Sequence, residues 1–275
     1  MATNYAEKYS GKVDERMSLK EMTNIGLNTD YEWDGVNKIK VYDIDTVPLN
    51  DYNMEGGSRY GTPTELGDSV TDYELKTDKA FTYTIDERNI KSQAGAKEAG
   101  KALAREIDEV VVPFKDMQRL KVWADTAAET GNELTVSVSK TTAYSTVLDA
   151  QEKMTDAKIP MTNRIFYCKA KYYKFLKQDD AFVKSSDIAQ KMLVKGQVGE
   201  VDGLKIVVLP ASYFPANVDA LLVYTKSTMS PSKLTKYITH RDAPGVNGVL
   251  TEGRIMLDTF VLKNKKQGIV AIKGA

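Results

Sequence analysis

The sequence has only one cysteine, Cys168, and one histidine, His240. A single cysteine cannot form a disulfide within the chain, so composition gives no support for an oxidising compartment. No run of apolar residues approaches the ~18 that a membrane-spanning helix needs, and the first residues lack the apolar stretch of a signal peptide. These absences predict a soluble protein that is made in a cytoplasm and has no membrane partner.

The same scarcity leaves little material for an active site. A thiol–imidazole pair of Cys168 and His240 would supply a nucleophile and a base, which would make the chain a cysteine-dependent hydrolase. However, Cys168 ends an apolar run, where a free cysteine behaves as a small hydrophobic residue. No second histidine is present to orient the first or to share a metal. This hydrolase is therefore the alternative from another functional class.

Two further patterns resemble sites only in part. The stretch Gly95–Ala102 approaches a phosphate-binding P-loop, but Ala102 has no hydroxyl group for magnesium. Asp43 and Asp45 share one face of a predicted strand, where solvated carboxylates explain them better than a divalent cation does. We therefore predict no catalytic, cofactor-binding or metal-binding residue, and no enzyme.

Charge is balanced overall but divided unequally along the chain. The whole sequence has 38 basic and 38 acidic residues, so it lacks the positive field that drives tight nucleic-acid binding. Residues 1–90 hold 18 acidic and 10 basic residues, a net charge of −8, and residues 91–275 hold 20 and 28, a net charge of +8. Such opposite fields favour docking of one segment on another or on a neighbouring copy. The alternative is that these charges lie on solvent-exposed surface and are divided unequally along the chain by chance.

The most regular stretch is Gly95–Asp125, which predicts a long amphipathic helix that we call the spine helix. Its apolar residues recur at intervals of three and four, and Pro113 predicts a bend or break within it. The predicted buried stripe consists of Ala99, Leu103, Ile107, Val110, Val111, Phe114, Met117, Leu120 and Ala124.

The chain before this helix has few features of a core. Residues 1–35 are polar and aperiodic, which predicts an arm held by neighbouring chains. Lys38–Val47 and Tyr73–Asp86 predict the two strands of a long hairpin, because β-branched and aromatic residues are frequent and alternate with polar ones. The connection between them is rich in glycine and proline, and so long a connection usually marks a functional loop.

The chain after the spine helix predicts a mixed α and β region. The elements that we expect are a helix at Thr142–Asp156, a buried strand at Ile165–Cys168, helices at Lys171–Leu176 and Asp187–Leu193, a hairpin of Gln197–Val201 with Leu204–Leu209 around Asp202-Gly203, a strand at Ala220–Thr225, a loop at Ser230–Gly248, and a last hairpin of Arg254–Leu262 with Ile269–Lys273.

Tyrosine is abundant, with 15 residues, and many lie in the predicted arm and loop. Tyrosine is favoured at protein interfaces because it combines a large rigid face with a polar tip. In segments that cannot form a core of their own, an interface is the better explanation. The candidates for contact between subunits are Tyr5, Tyr9, Tyr31, Tyr52, Arg59 and Tyr60.

Three short motifs resemble those of a known family. They are Ser58–Gly67 (SRYGTPTELG) in the loop, Lys195–Gly203 (KGQVGEVDG), and Glu252-Gly253-Arg254 followed by Asp258 and Phe260–Leu262. With the order of arm, loop, spine helix and mixed region, the chain resembles over its whole length the major capsid protein of tailed bacteriophages. That family has the α+β Hong Kong 97-type fold.

The resemblance implies a division into an N-terminal arm (1–35), an extended loop (36–90), a peripheral domain (91–140 and 250–275) and an axial domain (141–249). It also implies hexamers and pentamers that close into an icosahedral head around double-stranded DNA. The expected partners are other copies of the chain, a portal protein and non-specifically packaged DNA. Because the sequence begins at Met1 without a long helical pro-region, a separate scaffolding protein, or none, is expected.

The expected location is the virion, after assembly in the host cytoplasm. An encapsulin-type compartment, which encloses a protein cargo, is the alternative with the same fold.

Overall fold

The computed structural model describes residues 21–31, 38–87, 99–179, 182, 200–201, 203–241, 243–245 and 247–274. Helices and strands are both present, so the predicted α+β class is confirmed. The described residues form two units. We call residues 38–75 the hairpin unit and the remaining described residues the body.

The hairpin unit consists of two antiparallel strands, β1 (Lys38–Ile44) and β2 (Asp68–Glu74). Residues 45–67 connect them without helix or strand, as the loop prediction expected. The predicted second strand, Tyr73–Asp86, is wrong as a single element, because Leu75 and Lys76 interrupt it. The apolar residues are odd-numbered both before and after the interruption. The alternation of apolar and polar residues therefore continues through it and does not reveal where β2 ends.

The body contains, in chain order, β3 (Thr77–Asp86), α1 (Ala99–Glu106), α2 (Val112–Thr130), β4 (Glu133–Thr135), α3 (Ala143–Asp156), β5 (Arg164–Lys169), α4 (Ala170–Gln178), β6 (Glu200–Val201), β7 (Leu204–Leu209), β8 (Val218–Tyr224), β9 (Thr228–Met229), β10 (Ser232–Arg241), β11 (Gly248–Leu257), β12 (Phe260–Val261) and β13 (Ile269–Lys273).

A six-stranded sheet of order β4-β13-β8-β5-β7-β6 forms the centre of the body. Alternate residues of β5 point to opposite faces. Tyr167 packs with Trp123 of α2 on one face, and Phe166 packs with Met154 of α3 on the other. The sheet is buried on both sides by helices, which explains why β5 and β8 are almost continuously apolar.

Several local predictions for this region are confirmed. The helices α3 and α4, the strands β5 and β8, and the β6–β7 pair around Gly203 lie where the sequence placed them. Gly203 has a φ of 75°, as the predicted turn requires. The predicted helix Asp187–Leu193 lies outside the described residues, and the division into peripheral and axial domains remains a prediction.

A second sheet has the order β10-β11-β3 and corrects two predictions. Ser230–Gly248 was expected to be a loop, but β10 occupies ten of its residues. The expected last hairpin does not form either, because β11 pairs with β10 and β3, whereas β13 pairs with β8 and β4. A short 3₁₀ helix, Lys263–Gly268, replaces the predicted turn. Sequence spacing predicts which strands are adjacent in the chain, but not which strands pair.

The spine helix continues from α1 into α2 through a π-helical segment, Ile107–Val111. The backbone N–H of Val112 bonds to the carbonyl of Ile107, five residues back. The wider turn lies directly before Pro113, where an α-helical turn would bring the proline ring against a carbonyl. The expected irregularity is therefore present, and it takes the form of a π turn without a break.

The predicted buried stripe of the spine helix is only partly correct. Leu120 and Ala124 are buried, but Val110 and Met117 are 52% and 38% exposed. In the turn around Met117 the buried side chains are the charged Asp116 and Arg119. An apolar periodicity cannot find a face that buries an ion pair.

We predict that Arg164→Lys destabilises the body. The buried Arg164 guanidinium donates to the carbonyls of Gln151, Ile159 and Pro160 and to the hydroxyl of Thr155, which ties the end of α3 to β5. A lysine cannot reach all four acceptors, and each buried acceptor left without a donor costs about 1–3 kcal/mol.

Urea unfolding of the unassembled subunit should therefore show a loss of about 3 kcal/mol or more. Arg105→Lys, at a partly exposed pair with Glu109, is the matched control and should change stability by less than about 1 kcal/mol. Equal effects of the two substitutions would contradict this role of Arg164.

Candidate inter-subunit surface

Exposed large apolar side chains are concentrated in the hairpin unit. Nine of the 14 in the described part of the chain lie between residues 42 and 70. On soluble proteins, exposed large apolar side chains that cluster together mark interaction sites. The nine are Leu49 (102% exposed), Tyr60 (84%), Met54 (81%), Tyr42 (69%), Ile44 (66%), Val47 (60%), Leu66 (53%), Tyr52 (52%) and Val70 (46%).

The long loop of the hairpin unit is organised by its own backbone. The N–H of Asp45 donates to the carbonyl of Gly67 at 2.9 Å and closes the base of the loop. Nearer the tip, the N–H of Asn53 donates to the carbonyl of Arg59 at 3.0 Å. Gly61 has a φ of 86°, and a β-carbon there would lie 2.5 Å from the side-chain amide of Asn50. The loop therefore holds its apolar side chains in a defined arrangement although it has no core.

Three of the predicted contact residues lie together at this tip. The rings of Tyr52 and Tyr60 meet edge to face, with centroids 5.1 Å apart, and the exposed Arg59 precedes Tyr60. Tyr31 belongs to the body and is half-buried, whereas Tyr5 and Tyr9 lie outside the described residues. The role of all six at a subunit interface remains a prediction.

Sequence reasoning missed Leu49, the most exposed of the nine, and Met54, which is third after Tyr60. Both stand singly in a stretch rich in glycine and polar residues, so they match neither helical nor strand periodicity. The signal that could have found them is their position: a large apolar residue in a segment that cannot form a core needs a partner from elsewhere.

The hairpin unit is also acidic. It has eight acidic residues and three basic ones, a net charge of −5. One ion pair is formed across the strands, between Lys38 and Asp72 at 2.8 Å, and the hydrogen bond from Lys38 lowers the pKa of Asp72. All residues outside 38–75 together carry a net charge of +5, because the net charge of the whole chain is zero.

Residues 21–31 correct the expectation that the arm is held by neighbouring chains, because this segment is bound by its own body. The buried carboxylate of Asp116 accepts hydrogen bonds from the backbone N–H groups of Met22 and Thr23, both at 3.2 Å, and from the Thr23 hydroxyl at 2.5 Å. Arg119 binds Glu21 at 2.5 Å and the Thr23 hydroxyl at 3.0 Å. Two buried charges thus clasp the segment where it reaches the spine helix.

Further along the same segment, Gly26 packs closely against the body and Asp30 forms an ion pair with it. Gly26 lies against Tyr167 and Trp123, and a side chain there would collide with the Tyr167 hydroxyl. Burial raises the pKa of that hydroxyl, which donates a hydrogen bond to the carbonyl of Thr23. At the far end, Lys226 pairs with Asp30 at 2.8 Å. The remaining arm residues, 1–20 and 32–35, lie outside the described part.

The residues considered for catalysis are not brought together. Cys168 is fully buried in β5 of the six-stranded sheet, and burial raises the pKa of its thiol. His240 lies on β10 of the other sheet, with Nε2 3.5 Å from a carboxylate oxygen of Glu252. A buried thiol with a raised pKa is a poor nucleophile.

The described residues contain neither a candidate metal site nor a candidate membrane-spanning helix. No group of three or more histidine, cysteine, aspartate or glutamate side chains there is arranged to hold a metal ion. None of the helices described combines the length and apolar character that a membrane span requires.

Comparison with solved structures finds close similarity in fold. A structure from Mycobacterium phage Che8 matches with a TM-score of 0.72 at 17% identity, covering 99% of this chain and 98% of the other. The capsid structure of cyanophage P-SCSP1u matches with a TM-score of 0.72 at 11% identity, covering 98% and 93%. The mature capsid of bacteriophage PhiM1 matches with a TM-score of 0.69 at 11% identity, covering 98% and 91%. Comparison with protein-family models and with curated protein sequences finds no match.

We predict that Asp116→Ala releases residues 21–31 from the body. The substitution removes three hydrogen bonds and leaves Arg119 buried without this carboxylate, and breaking a buried charged pair costs about 3–5 kcal/mol. Hydrogen exchange should accelerate at the amides of Met22, Thr23 and Gly26 while those of β5 stay protected. Asp125→Ala, an exposed change on the same helix, is the control and should leave these amides unchanged.

Proposed function

Because the chain has the Hong Kong 97-type fold of tailed-phage capsid structures over nearly its whole length, we propose that it is a major capsid protein. Its role is structural: copies associate through the hairpin unit to build a shell. The observation that carries the proposal is the set of nine exposed apolar side chains on a unit that contains only two strands.

The energetics support association. Burying a large apolar side chain contributes about 1.5–3 kcal/mol, so a few of these nine suffice to offset much of the entropy lost when two copies bind. The loop backbone is already fixed by internal hydrogen bonds, which lowers the ordering cost. A preorganised apolar loop is what a repeated contact between identical subunits needs.

In this proposal, hexamers and pentamers close into an icosahedral head that encloses double-stranded DNA, and the protein is located in the virion. Its partners are other copies, a portal protein, a separate scaffolding protein and the packaged DNA. The divisions 1–35 (arm), 36–90 (loop), 91–140 with 250–275 (peripheral domain) and 141–249 (axial domain) are part of the same proposal. The contact candidates at the tip are Tyr52, Arg59 and Tyr60.

We predict that shortening the loop abolishes shell formation. Replacing residues 46–66 by Asn-Gly keeps β1 and β2 paired, because Asp45 and Gly67 are already hydrogen-bonded and a two-residue turn joins such strands. The variant should be a folded, soluble subunit that forms no shells in electron microscopy. Shells indistinguishable from those of the parent would remove the loop from the assembly contact.

A milder pair of variants separates contact from folding. Leu49→Ser with Met54→Ser removes two exposed apolar residues from the loop, and Leu148→Ser with Met161→Ser removes the same residue types from the exposed surface of the body. Only the first pair should lower the yield of particles. Nucleic acid inside the particles supports a viral head, whereas a protein cargo without nucleic acid supports an encapsulin-type compartment.

We also predict that assembly weakens with salt. The hairpin unit has a net charge of −5 and the rest of the chain +5, and the screening length falls from about 30 Å at 0.01 M to about 3 Å at 1 M ionic strength. Light scattering should show slower particle formation as sodium chloride is raised. An equal rate across this range would show that opposite charges do not contribute to assembly.

A further inference from the structure

The strand β10 leaves one edge of the three-stranded sheet open. It pairs with β11 on one side, and no strand in the described ranges pairs with its other side. A bulge interrupts the register between Leu234 and Lys236, after which pairing is regular from Lys236 opposite Arg254 to Arg241 opposite Val249. Residues 236–241 therefore offer a continuous row of backbone donors and acceptors to an added strand.

This open strand is basic. Residues 220–241 contain no acidic residue. On one face of β10 the side chains of Lys236, Ile238 and His240 alternate along the strand, an apolar residue between two basic ones. Charged residues on an edge normally discourage pairing between identical edges, because like charges are brought opposite each other. They do not discourage a strand of the opposite sign.

The strand β2 of the hairpin unit has the complementary pattern. Asp68, Val70 and Asp72 share its exposed face, an apolar residue between two acidic ones. In the described part of the chain β2 pairs only with β1, so its outer edge is open. The same face of β1 presents Lys38 and Lys40, which a basic edge would repel.

Building on the proposed capsid function, we propose that β2 of one copy adds to the open edge of β10 in a second copy as an antiparallel strand. Val70 lies opposite Ile238, Asp72 opposite Lys236, and Asp68 opposite His240. The joint combines the two strands of the hairpin unit in one copy and the three-stranded sheet of the second copy into a single five-stranded sheet. It also supports the hairpin unit, because an isolated two-stranded hairpin is only marginally stable.

This joint has a further consequence for assembly geometry. It connects two different surfaces, β2 and β10, so each copy donates one strand and receives one. Such a heterologous contact forms a closed ring when the rotation between copies closes. The lysines of β10 disfavour the competing β10–β10 pairing, which would bring two basic edges together.

The joint is tested by mixing two variants that each add one cysteine, Val70→Cys and Ile238→Cys, and assembling particles under mild oxidation. The native Cys168 is fully buried and does not compete. Opposite residues of paired strands lie within disulfide reach, so a disulfide-linked dimer should appear on a non-reducing gel. The matched control is Tyr42→Cys with Ile238→Cys. Tyr42 is exposed and directly opposite Val70, but it lies one strand further from the joint, and it should not crosslink.

The possible results separate this inference from the proposed function. Particles that form from the mixed variants without the Val70–Ile238 crosslink overturn the joint and leave the capsid function standing. A Val70→Cys/Ile238→Cys double variant that crosslinks only within one chain also overturns it. If the unmodified chain forms no assembly, the capsid function fails and the joint fails with it. Crosslinking of the control pair at the same rate contradicts the strand order proposed.

Discussion

The hairpin unit cannot bury its own apolar side chains, and the proposed association between copies follows from this constraint. Two strands and a 23-residue connection provide no second layer, and a sheet becomes stable when its apolar face is covered. Fully exposed Leu49 and largely exposed Met54 show the result. In the proposed shell, another copy of the chain would cover these side chains.

The body solves the opposite problem. Its six-stranded sheet is buried by α2 on one face and by α3 and α4 on the other, so it is a self-sufficient core. Its charged groups are also satisfied internally where they are buried: Asp116 and Arg119 bind the segment 21–31, and Arg164 binds the end of α3. The body thus has a core of its own, whereas the hairpin unit does not, and the proposed assembly would leave the body folded while contacts between copies form.

The sequence predicted the parts of this structure that depend on local pattern. Buried strands such as Arg164–Lys169, helices with a clear apolar face such as α3, and the Gly203 turn follow from residues that are neighbours in the chain. The loop also followed from its glycines and prolines. The motifs Ser58–Gly67 and Glu252-Gly253-Arg254 then led to the fold, which the solved capsid structures confirm.

The errors share a cause, which is that they concern contacts between distant residues. Nothing near Thr77 in the sequence shows that β3 pairs with β11 and not with β1. Likewise, nothing near Asp116 shows that its carboxylate binds Met22 and Thr23, more than 90 residues earlier in the chain. Periodicity predicts a buried Met117, but Met117 is exposed and Arg119 is buried. Arg119 is buried because it binds residues that are distant in the sequence. The contact candidates at the loop tip depend on residues of another copy, so one chain alone cannot test them.

The mass of the purified, expressed protein in solution, measured by light scattering, tests whether copies of the chain associate. The proposed capsid function predicts particles in the megadalton range, built from many copies of the 30.6 kDa chain. A stable monomer at every concentration and salt condition, with the hairpin unit protected from hydrogen exchange, would show that this chain covers its own apolar surface and would contradict the account.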